Sequence, residues 1–328
     1  MANFKYKSSV IIPVYKTEKY IEECVRSLFG QTLKEVEFIF IDDCSQDKCI
    51  EIVQNCLNEY PQRKQDVKFI HHCTNMGVCR TIYDGIMNAE GEYVIRCDSD
   101  DYVDKKMYEE LYHEAKRSSS DIVCCGYMDV SQRGKNIIKT VHSVNEINTY
   151  NKLMLGCFSR LPLAGSLCNK MIKNEIIKKL CSFLLDFPGY LEDSCLVASC
   201  LDETKKITFI DNNFYFYRLV PESITHTHSH SKILQAEYIF INYLREKAFF
   251  ERNNLDEVYL MVLRRNFLEA ILICQDVNYD IIRNFIPNIK RLSFLFGGHL
   301  PIMMRICLIL TYICPHLTKS IIQRRKKN

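Results

Sequence analysis

Short runs of β-branched and aromatic residues alternate with longer segments of helical period over residues 8–127. Because parallel strands need long crossover connections, this alternation predicts a mostly parallel sheet with flanking helices. We predict strands at residues 10–12, 38–41, 68–71, 93–96 and 122–124. In such open sheets, ligands bind beyond the carboxyl ends of the strands. The residues directly after each strand are therefore the first candidates for a functional site.

The first predicted helix covers residues 17–31, with Thr17 as its N-cap. Its apolar residues form one stripe, which is typical of a helix packed on a core. The stripe consists of Tyr20, Ile21, Cys24, Val25 and Leu28, and the residues predicted to face water are Glu18, Glu22, Glu23 and Arg26. A helix with such a stripe is expected to cover one face of the sheet.

The pattern weakens at residues 131–134 and resumes with strand-like and helical pieces to about residue 218. From residue 231 the chain is predicted to be mostly helical. Near its end, an apolar segment at residues 300–310 is followed by a basic tail at residues 323–328. The segment is shorter than the roughly 20 apolar residues of a spanning helix. Two interpretations stay open: a helix lying on an anionic membrane surface, which we favour, and a core helix with a solvated tail.

Composition excludes several classes of protein. The 328 residues carry a formal net charge of +3 with dispersed basic residues, so we expect no nucleic-acid partner. The 17 cysteines show no zinc-type spacing and fit reduced thiols. The first residues lack the apolar run of a signal peptide, so we expect a cytoplasmic catalytic part, with peripheral contact on the inner face of the membrane.

Three acidic clusters stand out: Asp42-Asp43 after the second predicted strand, Asp98-Ser99-Asp100-Asp101 after the fourth, and Glu192-Asp193 much later in the chain. Neighbouring carboxylates repel one another unless a cation joins them. Hard divalent ions take such oxygen ligands and keep positions open for phosphate. The alternative is a solvated acidic loop or a helix N-terminus that favours negative charge.

Two residues near the first strand ends suit a nucleobase. A carboxylate such as Asp43 accepts a hydrogen bond from a ring N–H, and Tyr15 offers an aromatic face. The alternatives are loop capping for Asp43 and simple packing for Tyr15. Neither residue decides between these functions by itself.

The order of the motifs is more specific than any one of them. Together they resemble glycosyltransferase family 2, whose members share the GT-A fold, over residues 8–225. The motifs that carry the resemblance are residues 10–21, Asp42-Asp43-Cys44-Ser45, Asn75-Met76-Gly77, Asp98-Ser99-Asp100 and Glu192-Asp193. The resemblance implies a nucleotide-sugar-binding half at residues 1–127, an acceptor-binding half at residues 128–230 and a helical extension at residues 231–328.

The resemblance also assigns roles on the donor side. Pro13, Tyr15 and Asp43 would hold the uracil ring of a UDP-sugar, with Glu18 near the nucleoside. Asp98 and Ser99 would lie near the ribose. Asp100, together with Asp98, would ligate Mg²⁺ or Mn²⁺ bridging the diphosphate, with Asp101 in support.

On the catalytic side, the resemblance implies that Asp193 is the general base and that Glu192 orients it. A single displacement would then invert the anomeric centre. The acceptor-side matches are Lys170, which follows Asn169, and Arg218. Arg218 fits either a phosphate contact or a surface salt bridge. We interpret His226, His228 and His230 as part of a loop rather than as a set of metal ligands.

Two departures from the family pattern limit the transfer of roles. Where many members have Ala-Arg-Asn before the glycine at position 85, this chain has Thr81-Ile82-Tyr83-Asp84, with the arginine displaced to Arg80. Cys44 replaces a common glycine or alanine, and we expect a negative φ there.

The predicted function is inverting transfer from a UDP-sugar to a saccharide or lipid-linked saccharide during surface polysaccharide synthesis. The alternatives are a receiver-like signalling module, a nucleotidyltransferase and a catalytically inactive nucleotide-sugar-binding protein. A receiver leaves Glu192-Asp193 unexplained. A nucleotidyltransferase usually has a glycine-rich basic loop where this chain has Pro13-Val14-Tyr15.

Overall fold

The computed structural model describes residues 4–133, 136–146, 148–158, 161–187, 189–220, 230–247, 249–253, 255 and 262. The chain divides into two compact units, residues 1–226 and 227–328. The strands are β1 Tyr6–Val14, β2 Val36–Asp42, β3 Val67–His71, β4 Gly91–Arg96, β5 Tyr102–Val103, β6 Ile122–Arg133, β7 Asn136–His142, β8 Lys170–Lys173 and β9 Ile207–Arg218. The helices of the first unit are α1 Ile21–Phe29, α2 Cys49–Glu59, α3 Val78–Met87, α4 Met107–Ser118, α5 Tyr150–Phe158, α6 Pro162–Gly165, α7 Asn174–Leu180 and α8 Glu192–Glu203, with 3-10 turns at Pro61–Arg63, Val144–Glu146 and Cys181–Asp186.

The strands form one sheet in the order β3-β2-β1-β4-β8-β6-β9-β5, with β7 paired to β6. The first four of these strands are mutually parallel. This is the parallel sheet that the alternating pattern predicted. All five predicted strands lie within observed ones, which extend beyond the apolar runs because residues such as Ser8 and Ser9 also join the ladder.

Beyond β4 the sheet is mixed. Strand β8 is antiparallel to both β4 and β6, whereas β6 and β9 are parallel. Strand β6 continues through residue 127, the predicted border between the two halves, to Arg133. The two halves therefore share a strand, and their division into donor and acceptor parts stays a prediction.

Helix α1 begins at Ile21, not near residue 17, and Thr17 is not its N-cap. The backbone carbonyl of Thr17 accepts bonds from the amides of Tyr20 and Ile21 in the preceding turn. Its hydroxyl instead donates to Ser99 Oγ at 3.0 Å. The predicted stripe is confirmed for Ile21, Cys24, Val25 and Leu28, which are buried; Tyr20, ahead of the helix, is half-buried.

Cys44 has a φ of 59°, so the expectation of a negative φ was wrong. The left-handed conformation is rarely adopted by residues with a side chain. Here the turn is held by two flanking hydrogen bonds: Ser45 N donates to Asp42 Oδ1 at 2.8 Å, and Lys16 N donates to Ser45 Oγ at 2.8 Å. These bonds fix the backbone after β2 in spite of the cysteine.

In the second unit the structure describes α9 His230–Glu246 and α10 Phe249–Arg252. Ala236, Phe240, Ile241 and Leu244 of α9 are buried, which agrees with the predicted helical character there. Among the described residues, no helix has the length and apolar character needed to cross a membrane. The apolar segment, the basic tail, His226 and His228 lie outside the described residues.

Candidate active site

The candidate site begins where β2 ends. Asp43 is buried, with 3% of its surface exposed. Its Oδ1 accepts a bond from the amide of Met76 at 2.7 Å, and its Oδ2 accepts one from the amide of Gly77 at 2.8 Å. Its Oδ1 also lies 2.8 Å from Nδ1 of His72. Asp43 therefore caps the distant loop before α3 rather than its own loop, which is where the alternative interpretation expected the capping, and it keeps acceptor capacity at Oδ2.

The other residues predicted near the nucleoside surround the same strand ends. Tyr15 is 38% exposed, so its ring is accessible beyond β1. Pro13 lies in β1 opposite Ile41. Glu18 accepts a bond from the amide of Lys48 through Oε2 at 3.2 Å. Contacts of these residues with a base stay predictions.

The second part of the site follows β4. Asp101 is fully buried and accepts bonds from the Tyr215 hydroxyl at 2.6 Å and the amide of Arg218 at 2.7 Å. Ser99 is buried and its hydroxyl bonds Thr17. No described side chain donates to the carboxylate of Asp100. Asp101 and Ser99 thus hold the loop, whereas the Asp100 carboxylate is held by no side chain of the described residues and accepts from its own backbone amide.

Arg96 connects this loop to the predicted base, and no role was predicted for it. Its Nε donates to Asp98 Oδ1 at 2.6 Å, and its Nη1 donates to Asp193 Oδ1 at 2.7 Å. Glu192 Oε1 lies 3.5 Å from the same Nη1. The guanidinium therefore brings together two motifs that lie far apart in the chain.

The position of Asp193 is set by the start of α8. Two residues with positive φ, Gly189 at 78° and Leu191 at 62°, turn the chain immediately before Glu192. The second oxygen of Asp193 accepts a bond from the amide of Leu167 at 3.1 Å. With Arg96 on one oxygen and Leu167 on the other, the carboxylate has a fixed orientation.

Burial and neighbouring carboxylates raise the pKa values of this acidic group. Burial, together with the charge of Asp98, raises the pKa of Asp100 to about 6. Burial and the charge of Asp193 raise the pKa of Glu192 to about 7. The pKa of Asp193 is also raised by burial, and the charge of Arg96 opposes that rise. The cluster thus carries more negative charge than its protein partners neutralise.

The predicted contact of Lys170 with a ligand does not fit the structure. Lys170 is fully buried, and its ammonium donates to the carbonyls of Leu163 at 2.8 Å and Ser166 at 2.7 Å and to Asn169 Oδ1 at 2.8 Å. An ammonium has three N–H groups, so these partners leave none for a ligand. Lys170 instead supports the loop whose Leu167 amide binds Asp193.

For Arg218, the structure shows the salt bridge. Its Nη2 lies 2.6 Å from Glu23 Oε2, and its Nε donates to the carbonyl of Asp100 at 2.8 Å. The guanidinium also lies 5.2 Å from the centre of the Tyr20 ring. Its Nη1 has no hydrogen-bond partner among the described residues, so the phosphate contact stays a prediction.

The donor set fits a divalent cation that also takes ligand oxygens. Asp98 Oδ2 and the Asp100 carboxylate accept from no described side chain, and a cation would oppose both the burial and the charge of Asp98, which raise the pKa of Asp100. The described residues contain no group of three or more metal-ligating side chains. A cation here would therefore depend on oxygens from phosphate or water, as magnesium commonly does.

Comparison with known proteins identifies relatives of the chain. It is 28% identical to the glycosyltransferase EpsJ of Bacillus subtilis over 219 residues, 66% of this chain and 62% of EpsJ. It is 29% identical to the cholesterol galactosyltransferase of Borreliella burgdorferi over 268 residues, 78% of this chain and 73% of that enzyme. The aligned part thus spans less than two thirds of EpsJ.

A third relative is known from both sequence and structure. The poly(ribitol-phosphate) beta-N-acetylglucosaminyltransferase TarS of Staphylococcus aureus is 26% identical over 216 residues, 64% of this chain and 35% of TarS. The structure of TarS residues 1–349 in complex with UDP-GlcNAc superposes with a TM-score of 0.67 at 19% identity, over 98% of this chain and 92% of that one. This likeness shows a shared fold.

The model of glycosyl transferase family 2 matches residues 9–181, more than half of the chain. The match covers β1 to β8, the strand ends that carry Asp43 and Asp98, and Arg96 between them. Together with the TarS fold, it confirms the GT-A architecture expected from the motifs. The chain belongs to glycosyl transferase family 2 and is a glycosyltransferase.

Proposed function

We propose that the protein is an inverting glycosyltransferase that uses a UDP-sugar and a divalent metal. The observation that carries the proposal is the Arg96 bridge, which holds Asp98 and Asp193 on one guanidinium at 2.6 and 2.7 Å. It places the predicted donor-binding motif beside the predicted base. An enzyme that joins a donor to an acceptor needs these two groups in one site.

On the donor side, the uracil ring would lie against Tyr15 and Pro13, with its N3–H directed at Asp43. Asp98 and Asp100 would hold Mg²⁺ or Mn²⁺ next to the diphosphate. When bound, such an ion stabilises the negative charge that develops on the departing UDP. The TarS complex with UDP-GlcNAc supports the choice of a uridine donor.

On the acceptor side, Asp193 would take the proton of the attacking hydroxyl. The acceptor oxygen forms a bond to the anomeric carbon as the bond from that carbon to the UDP oxygen breaks. One displacement inverts the centre, so an α-linked donor gives a β-glycoside. Arg96 and the Leu167 amide fix the carboxylate, and an ion pair with Arg96 favours its ionised form, which a general base requires.

The acceptor would be a saccharide or a lipid-linked saccharide in the assembly of a surface polysaccharide. TarS acts on poly(ribitol-phosphate), and the Borreliella relative is a cholesterol galactosyltransferase, so both polymer and lipid acceptors occur among relatives. A cytoplasmic location, with contact to the inner membrane face through residues 300–328, completes the proposal. If deletion of those residues does not lower the amount of protein in the membrane fraction, the proposed membrane contact is rejected.

The deciding experiment is calorimetric titration with UDP and with GDP, each in Mn²⁺ and in EDTA. We expect binding of UDP that depends on the metal and weak binding of GDP. Turnover of UDP-sugars would then be screened by release of UDP, which separates an active enzyme from an inactive nucleotide-sugar binder. If neither nucleotide binds under any condition, the uridine donor is wrong and only the family assignment stands.

A further inference from the structure

His72 lies between two carboxylates next to the predicted base-reading residue. Its Nδ1 is 2.8 Å from Asp43 Oδ1, and its Nε2 is 3.0 Å from Asp84 Oδ2. Its side chain is only 6% exposed. Arg80 Nε extends the row by donating to the same Asp84 oxygen at 2.7 Å.

The partners of His72 set its hydrogen-bonding role. An ionised carboxylate accepts hydrogen bonds but does not donate them, and only the imidazolium carries an N–H on both nitrogens. Both ring nitrogens face carboxylate oxygens, Nδ1 that of Asp43 and Nε2 that of Asp84. Arg80, Asp84, His72 and Asp43 then form a row of alternating basic and acidic side chains that runs from α3 to the end of β2.

This row occupies the part of the chain that departs from the family pattern. Arg80 stands ahead of the segment where many members carry Ala-Arg-Asn, and Ile82 within that segment is buried. Neither Arg80 nor Asp84 was given a role by the resemblance. The structure shows instead that both are connected to Asp43 through His72.

We propose that His72 is a positioning residue for nucleobase recognition, which holds Asp43 by its Nδ1–H and is itself held by Asp84. The inference rests on the proposed uridine donor. Two backbone amides fix Asp43 from the loop side, and His72 fixes Oδ1 from the side of β3. Oδ2, which accepts only from Gly77 among the described residues, stays aligned for the N3–H of uracil.

The choice between UDP and CDP reports on this alignment. Uracil has an N–H at position 3, whereas cytosine has an acceptor nitrogen there, which a carboxylate repels. A well-held Asp43 therefore favours UDP over CDP. Loss of its orientation weakens UDP binding more than CDP binding, whereas a partial loss of folded protein weakens both equally.

The test measures the affinities of UDP and CDP in Mn²⁺ for the full chain and its variants. The nitrogen of an asparagine amide falls near Nδ1 of histidine, and that of glutamine near Nε2. H72Q loses the hydrogen bond to Asp43. We expect it to weaken UDP binding about tenfold, the scale of one charge-assisted hydrogen bond, and to reduce the preference for UDP over CDP. H72N, which keeps the bond to Asp43, should retain most of the preference.

His71 provides a matched control. It pairs with Asp42 at 3.1 Å but is 54% exposed, so H71Q should leave both affinities unchanged. D84N tests the same row without altering His72 and is expected to reduce the UDP preference about threefold, at the lower end of the net contribution of one intramolecular hydrogen bond. If H72Q does not fold, D84N decides.

The role of His72 would be overturned if folded H72Q has the same ratio of UDP affinity to CDP affinity as the unaltered protein. If H72Q does not fold, the same result in D84N would overturn it. Failure of the unaltered protein to bind UDP would instead reject the uridine donor on which the inference rests. Melting temperatures of all variants identify which of them are folded.

Discussion

The two ends of the site differ in charge balance. At the base end, the carboxylates of Asp43 and Asp84 meet two basic side chains, His72 and Arg80. At the catalytic end, five carboxylates lie together, of which three pair with Arg96, whereas the guanidinium of Arg218 pairs with Glu23 outside the cluster. The acidic residues of that end are Asp98, Asp100, Asp101, Glu192 and Asp193.

This difference in the pairing of carboxylates indicates a different role for each end of the site. At the base end, each carboxylate already has a basic side chain as its partner when no ligand is bound. The row therefore provides a fixed surface for recognition. An unbalanced cluster stays electrostatically unfavourable until a cation or a proton joins it, which is why burial and mutual repulsion raise its pKa values. Changes at the catalytic end are therefore expected to affect turnover and metal use, and changes at the base end to affect selectivity.

The largest expected effect is that of Asp193→Asn. The variant keeps the shape of the side chain but removes the proton acceptor, so we expect turnover to fall by about 100-fold or more, with UDP affinity little changed. UDP release from the best UDP-sugar and calorimetry measure the two quantities. Turnover close to that of the unaltered protein would end the assignment of the base.

Arg96→Lys is expected to have the next largest effect. Lysine keeps the charge but cannot bond Asp98 and Asp193 as a fork, so turnover should fall about tenfold or more. The control is Arg26→Lys on the surface, where Arg26 bonds Glu22 and Glu59 and little change is expected. Equal behaviour of the two variants would contradict the bridging role of Arg96.

Asp100→Ala addresses the unbalanced charge directly. It removes a predicted metal ligand, so metal-dependent UDP binding should weaken about tenfold, at the lower end of losses at metal sites. Binding in EDTA should not change. Asp186→Ala, at an exposed aspartate, serves as the control. If Asp100→Ala binds UDP normally in Mn²⁺, the cation is held elsewhere.

The smallest effect is expected at the base end, in the backbone of Cys44. Glycine adopts its φ of 59° without steric cost, so Cys44→Gly should raise the free energy of unfolding by about 1 kcal/mol at most. Thermal unfolding measures it, with Cys44→Ala as the control that keeps the strain. A more stable protein with unchanged nucleotide selectivity would show that side chains, not this strain, define the base end.

The parallel part of the fold was predictable because its strands are continuous apolar runs. Residues 38–41 of β2 are the run Phe-Ile-Phe-Ile and are all buried, and such a run identifies a strand without its partners. Strand β8 has only four residues, and β5 only two, so they carry too little pattern. Their places in the sheet depend on pairing with strands far away in the chain.

The acidic motifs of the candidate site were predictable from the sequence, but the side-chain contacts that join them were not. Asp98 and Asp193 stand out as members of acidic clusters, whereas Arg96 resembles any polar residue at a strand end. Its one local sign is the two-residue spacing to Asp98, which puts both side chains on the same side of an extended chain. Lys170 was misread because sequence does not reveal that three oxygen atoms surround its ammonium.

The sheet order also has a consequence for biosynthesis. Strand β4 pairs with β1 on one side and with β8 on the other, and β8 begins only at Lys170. As the chain leaves the ribosome, the parallel strands are complete by Arg96, but the outer edge of β4 stays uncovered until the later segment emerges. Exposed strand edges are sites of incorrect pairing between chains. Nascent chains halted between these two strands are therefore the ones expected to depend most on chaperones.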